Sequence, residues 1–192
     1  VIGLWAYRLR GDMRASRALL VFASAVSVTT TTFFDMNTTH HVVLLWALSL
    51  GVAASACIHL ALVFPQQMRF VERWPAMRFL PWLVSLAFAL PVARQILSPT
   101  SPRAYILTWQ ASYAYMAVSI GLFLVTLTLR FLRSSSPVIR QQSRVILFGA
   151  TLAFVPIMVF YLLPTAFSHN PQEFRASIYF PLLILLPLSV TY

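Results

Sequence analysis

Long apolar runs separated by short polar connections dominate this chain. Six runs stand out: Ala18 to Phe34, Val42 to Phe64, Phe79 to Leu97, Tyr105 to Leu129, Val145 to Phe167 and Ile178 to Tyr192. At about 1.5 Å per helical residue, runs near 20 residues long cross a hydrocarbon layer of roughly 30 Å. The sixth run is short and is expected to continue beyond Tyr192. Val1 to Tyr7 reads as the last turns of a preceding span. None of the runs alternates between apolar and polar positions, as a membrane barrel strand does. A helix satisfies its backbone hydrogen bonds within one segment, which is the condition for crossing lipid. The pattern predicts an all-α fold, a polytopic transmembrane helix bundle forming one membrane domain over residues 1–192.

Composition strengthens this reading. Of the 192 residues, 59% are hydrophobic and only 9% are charged. A soluble domain carries about 25% charged residues. With so few charges, lipid must solvate most of the surface. The net charge of +10 raises the question of nucleic acid, but the cations sit in clusters between apolar runs. Nucleic acid is therefore not an expected partner; the lipid bilayer is. All 14 cations are arginine, and the one cysteine, Cys57, lies within an apolar run, so neither a disulfide framework nor a cysteine metal site is expected. The chain opens without Met and stops without a polar tail, so it is expected to be a segment of a longer protein.

The arginines also set an orientation. Arg8, Arg10, Arg14 and Arg17 precede the first run. The connection Met36 to His41 has none. Pro65 to Arg78 holds Arg69, Arg73 and Arg78, and the next connection has only Arg94 and Arg103 at its edges. Arg130 to Arg144 holds Arg130, Arg133, Arg140 and Arg144, and Ser168 to Ser177 holds Arg175 alone. Alternate connections thus carry eleven arginines against three. The positive-inside rule places the rich side, and Tyr192, in the cytoplasm. Trp5, Trp74, Trp82, Trp109, Tyr105 and Tyr179 fall near span ends, where amphipathic rings prefer to sit. Pro81, Pro91, Pro156, Pro164, Pro181 and Pro187 lie within or near spans; each removes a backbone donor and can kink its helix.

Chemistry-bearing residues are few. Asp35, His40 and His41 cluster at the outer end of the first hairpin. Adjacent histidines suit a metal only with further spaced clusters, and just His59 and His169 remain. No metal is expected. His59 lies six residues before Pro65, roughly 9 Å inside its helix end, where an interhelical hydrogen bond is expected. The hydroxyls of Thr29 to Thr32 are expected to bond back to the helix or across to a neighbour. By depth alone, Asp35 and Arg94 can pair and close an outward polar pocket with His40, His41, Trp109 and Tyr113. There is no Walker loop and no Ser/His/Asp set, so no catalytic residue is expected. A small-molecule transporter or channel would need a continuous polar pathway, and proton-coupled carriers usually hold an acidic residue mid-span. A lipid-acting enzyme would need clustered acid and base groups at one depth.

Three stretches together carry a family resemblance. They are Cys57 to Pro65, ending His-Leu-x-Leu-x-Phe-Pro; Arg140 to Gly149, opening Arg-x-Gln-x-Arg as a loop entering a span; and Leu186 to Tyr192, reading Leu-Pro-Leu-Ser-x-x-Tyr. In order and spacing they resemble the multi-pass membrane region of bacterial sensor histidine kinases of the competence/quorum-sensing type. The resemblance covers the chain from about residue 40. It departs from the usual loop at Ile139, where an Arg is common, and at Val145, where a Trp is common. It implies a sensor or relay role in the bacterial cytoplasmic membrane, a homodimer, and a cytoplasmic output domain after residue 192. That output would use ATP and Mg and a response regulator, and a phosphatase or cyclase output is the alternative. His59, Phe64, Pro65, Arg140, Gln142, Arg144, Pro187 and Tyr192 would then serve cytoplasmic coupling or anchoring. Arg140 and Arg144 lie one turn apart and can face headgroups or the linker of the output domain.

Overall fold

The computed structural model describes residues 14–64, 69–133, 137–167 and 180–185. Their regular structure is all helical. Helix α1 spans Arg14–Asn37 and α2 spans Val43–Val63. A short α3, Arg69–Arg73, and a 3-10 turn, Pro75–Phe79, lead into α4, Leu80–Leu97. Then come α5, Pro102–Arg133, and α6, Pro137–Ile157. A π-helical turn, Met158–Leu162, runs into α7, Leu163–Phe167, and a 3-10 turn follows at Phe180–Ile184. Among the described residues, five stretches are long and apolar enough to cross a membrane: Ser16–Asp35, Val43–Val63, Pro75–Leu97, Pro102–Arg133 and Arg140–Phe167. They match the first five expected spans. The sixth lies outside the described residues except for 180–185, as do Val1 to Tyr7, Pro65, Pro187 and Tyr192.

One expected connection is helical at its described residues. Arg130 and Arg133 lie in α5, and Arg140, Gln142 and Arg144 lie in α6. Apolar runs mark the hydrocarbon thickness, whereas a helix continues beyond it wherever its backbone is satisfied. The Arg-x-Gln-x-Arg stretch is therefore the opening of a helix, not a loop entering one.

Helix α2 occupies the centre. It packs against α1, α4 and α5, and 61% of its span is buried, against 17% for Pro75–Leu97. The reason is the run of small side chains. Ala47, Ala53, Ala54, Ser55, Ala56, Cys57 and Ala61 are all buried, letting neighbouring backbones approach closely where lipid offers no hydrophobic drive. At Gly51 a β-carbon would stand 3.0 Å from Ser85 Oγ of α4, so that contact is set by the missing side chain. On α4, Leu83, Leu86, Leu90 and Leu97 form one exposed face, the side such a helix turns to lipid.

The π turn reorients the last span. Along α6, Ser143, Ile146, Ala150, Ala153, Phe154 and Ile157 are buried at helical spacing. The next buried positions are Leu162 and Ala166, so one extra residue has entered the repeat. Pro156 and Pro164 bracket the turn, and neither supplies an amide hydrogen. Inside it, Leu163 N–H reaches Met158 O, and the Thr165 hydroxyl donates to Tyr161 O at 2.6 Å. Pi turns of this kind mark functional sites in many helices.

Candidate functional site

Three places stand out among the described residues. The first is the turn between α1 and α2. The Asp35 carboxylate accepts from the Thr39 hydroxyl, from His41 N at 3.2 Å and from Val42 N at 2.7 Å. Its carbonyl accepts from the amides of Thr38 and His40. His40 takes a left-handed conformation, φ 57°, which turns the chain out of α1. Held against the amide of Val42, the residue before α2, this carboxylate also suits the positive end of that helix. Asp35 is thus the organiser of its own turn.

The expected Asp35–Arg94 pair does not form. Both carboxylate oxygens are engaged locally, His40, His41 and Arg94 are exposed, and α1 and α4 meet α2 on different sides. Depth does not fix which face of the bundle a residue joins. Trp109 and Tyr113, assigned to the same pocket, instead pack on Trp46, with ring centroids at 5.2 and 5.7 Å.

The second place is a cavity of about 60 Å³ between α1, α2, α5, α6 and the π turn, in the half of the bundle away from the arginine clusters. Its deep walls include Trp46, Leu50, Tyr113, Met116, Phe154 and Ile157, all buried. The threonines bear out their expectation. Thr29 donates to Ala25 O or pairs with Ser49 Oγ at 2.8 Å, while Thr30 and Thr32 bond back to Val26 O and Val28 O. Tyr113 and Tyr161 join hydroxyls at 3.0 Å. Trp46 is 1% exposed, and its indole N–H has no partner. The sequence reading passed over Trp46 and Tyr161. Trp46 sits one turn into its span, where an interfacial role is the usual reading, and Tyr161 lies within an apolar run with no polar neighbour in sequence to single it out.

The third place is the arginine-rich end. His59 Nδ1 lies 3.2 Å from Arg78 O and 3.4 Å from Trp82 Nε1, so the expected interhelical bond is present. One ring nitrogen cannot donate to the carbonyl and accept from the indole at once. Nearby, the end of α2 needs a donor for Ala61 O. The amide four residues on would belong to Pro65, which has none. Arg130 Nη2 of α5 supplies it at 3.1 Å. Pro65 in the sequence was the available signal for this tie, though it did not name the partner. Arg140 stacks over the Phe131 ring at 5.5 Å, while Gln142 and Arg144 are exposed. Toward mid-bundle, Ser55 Oγ and Tyr115 Oη both reach Pro81 O, at 2.8 and 3.0 Å, and lie 3.1 Å from each other. These contacts join α2, α4 and α5 in one polar knot.

Among the described residues, no three His, Cys, Asp or Glu side chains converge as metal ligands would. The chain gives no match to protein-family models, to curated proteins or to solved structures. Its helix lengths, hydropathy and packing make it a multi-pass α-helical membrane protein.

Proposed function

We propose that this bundle is the membrane sensor or relay domain of a bacterial signal-transduction protein, a dimeric sensor histidine kinase of the cytoplasmic membrane. One observation carries the reading. The His-Leu-x-Leu-x-Phe-Pro end of α2, which bears the resemblance, is also where α2 is tied through His59 to Trp82 of α4 or to Arg78 O in the turn before it, and to α5 through Arg130. A change in α2 packing is thereby passed to the arginine-rich ends, on the side where the output would lie. Mechanistically, a signal that binds one packing better than the other shifts their populations. Moving such an equilibrium from 1:99 to 99:1 takes about 10⁴-fold difference in affinity. The output in this reading is histidine autophosphorylation with ATP and Mg, followed by transfer to a response regulator.

The test is incubation of the full-length protein in membranes with labelled ATP. Acid-labile, base-stable phosphate on a histidine supports the reading. Absence of such phosphate in folded protein would redirect it to a phosphatase or cyclase output, or to transport.

A further inference from the structure

A cleft of about 20 Å³ lies among α2, α4 and α5, walled by described residues. Ala47, Gly51, Ser85, Val92, Ser112 and Tyr115 belong to that wall, and part of its accessible surface is polar. Ser85 is 8% exposed, and its hydroxyl has no partner among the described residues. The oxygen is not sealed in, however: it opens on the cleft. It points across at α2, 3.0 Å from where a β-carbon on Gly51 would stand. Ser112 donates to Thr108 O at 3.0 Å, and Tyr115 donates to Pro81 O at 3.0 Å. Each of those two hydroxyl oxygens keeps a lone pair that can accept. An unpaired hydroxyl inside a membrane bundle is costly, so a partner belongs beside Ser85.

We propose that this cleft binds one water molecule, which accepts from Ser85 and donates to Ser112 and Tyr115, fastening α4 to α5 across the small residues of α2. At about 10–15 Å³ of such space per water, the cleft holds one and not two. Three hydrogen bonds are the usual complement of a buried water. The count of donors and acceptors also selects it. The site offers one proton and two acceptors, and a water brings two protons and a lone pair. A carbonyl compound has no proton for the two acceptors. A cation finds no carboxylate, because Ser85, Ser112 and Tyr115 are the polar side chains of the wall. Ordered water satisfies polar groups within spanning helices in this way. Pro75–Leu97 is the least buried of the five spans, so the bridge adds to a sparse interface. The inference goes beyond the sensor reading and does not rest on it: the site fills whatever output follows.

The experiment uses the chain in nanodiscs of deuterated lipid, itself deuterated except at the leucine and valine methyls. Transfer of magnetisation from the water resonance to the Val92 methyls is measured by NMR, with Val92 assigned by the loss of its signals in Val92→Ile. The native chain is expected to give a cross-peak from an immobilised water. Gly51→Ala puts a methyl into the cleft and keeps all three hydroxyls, so it is expected to abolish the cross-peak, whereas transfer relayed through exchanging hydroxyl protons would persist. Ser85→Ala combined with Ser112→Ala only removes atoms and leaves one of the three hydroxyls; it too is expected to abolish the cross-peak, since a buried water needs two to four polar partners. The remaining methyl signals report that each variant is folded. No cross-peak in the native chain, or one that survives in either folded variant, would overturn the proposal.

Discussion

Phe148 and Phe154 lie six residues apart on α6, with the same side chain and the same hydropathy, yet the fold gives them opposite surroundings. Phe154 is 1% exposed and Phe148 is 69% exposed. Phe154 meets Phe22 of α1 and Phe123 of α5 edge-on, at centroid distances of 5.8 and 6.0 Å. In a bilayer, truncating Phe154 loses little transfer energy, because acyl chains also solvate an unfolded helix surface. What is lost is packing. A vacancy of about 100 Å³ at about 24 cal/mol per Å³ amounts to roughly 2.4 kcal/mol. The two aromatic pairs add about 0.5–1.5 kcal/mol each before neighbours relax. With some relaxation of the neighbours, Phe154→Ala should therefore cost about 3–5 kcal/mol, whereas Phe148→Ala should stay within about 0.5 kcal/mol. Reversible unfolding in mixed micelles, or steric trapping in bicelles, measures both. Equal costs, or a larger cost at Phe148, would refute the placement of α6.

Other expectations follow from single contacts. Arg130→Met leaves Ala61 O without its donor and should destabilise the bundle by about 1–3 kcal/mol in the same unfolding assay. A double-mutant cycle of Tyr113→Phe and Tyr161→Phe should return a coupling of about 0.6 kcal/mol, typical of a hydrogen bond between membrane helices; zero coupling would deny the contact. Gly51→Val drives a branched side chain into Ser85 of α4 and should cost about 1–3 kcal/mol. Gly121→Ala meets nothing within 4 Å and should be neutral or stabilising by up to about 1 kcal/mol. Asp35→Ala should speed amide hydrogen exchange at His41 and Val42, read by NMR, and leave α4 unchanged.

The spans were legible because lipid demands unbroken apolar runs. Val42 to Phe64 was expected, and α2 runs Val43–Val63. The helical ends were less legible. Hydropathy reports where the hydrocarbon stops, so Arg130 to Arg144 read as a connection although its described residues are helical. Local bonds were readable from residue type and spacing, as with Thr29 to Thr32 and with His59. Contacts that depend on rotation about the helix axis were not. Asp35 and Arg94 share a depth but sit on helices that flank α2, and Trp109 turns inward to Trp46. The π turn was not legible either: Pro156 and Pro164 hint at a disturbed helix without fixing the register shift that brings Leu162 and Ala166 to the buried face.

Topology bears most directly on the whole account, since both the arrangement of the five described spans and the proposed direction of signalling depend on it. On a Cys57→Ala background, single cysteines at Thr39, Thr100, Arg73 and Val138 sample four turns or helix ends, and all four positions are exposed. Intact cells would be treated with a membrane-impermeant maleimide, then permeabilised and treated again. The account predicts labelling of positions 39 and 100 in intact cells, and of 73 and 138 only after permeabilisation. Labelling of 39 and 73, or of 100 and 138, from the same side would contradict it.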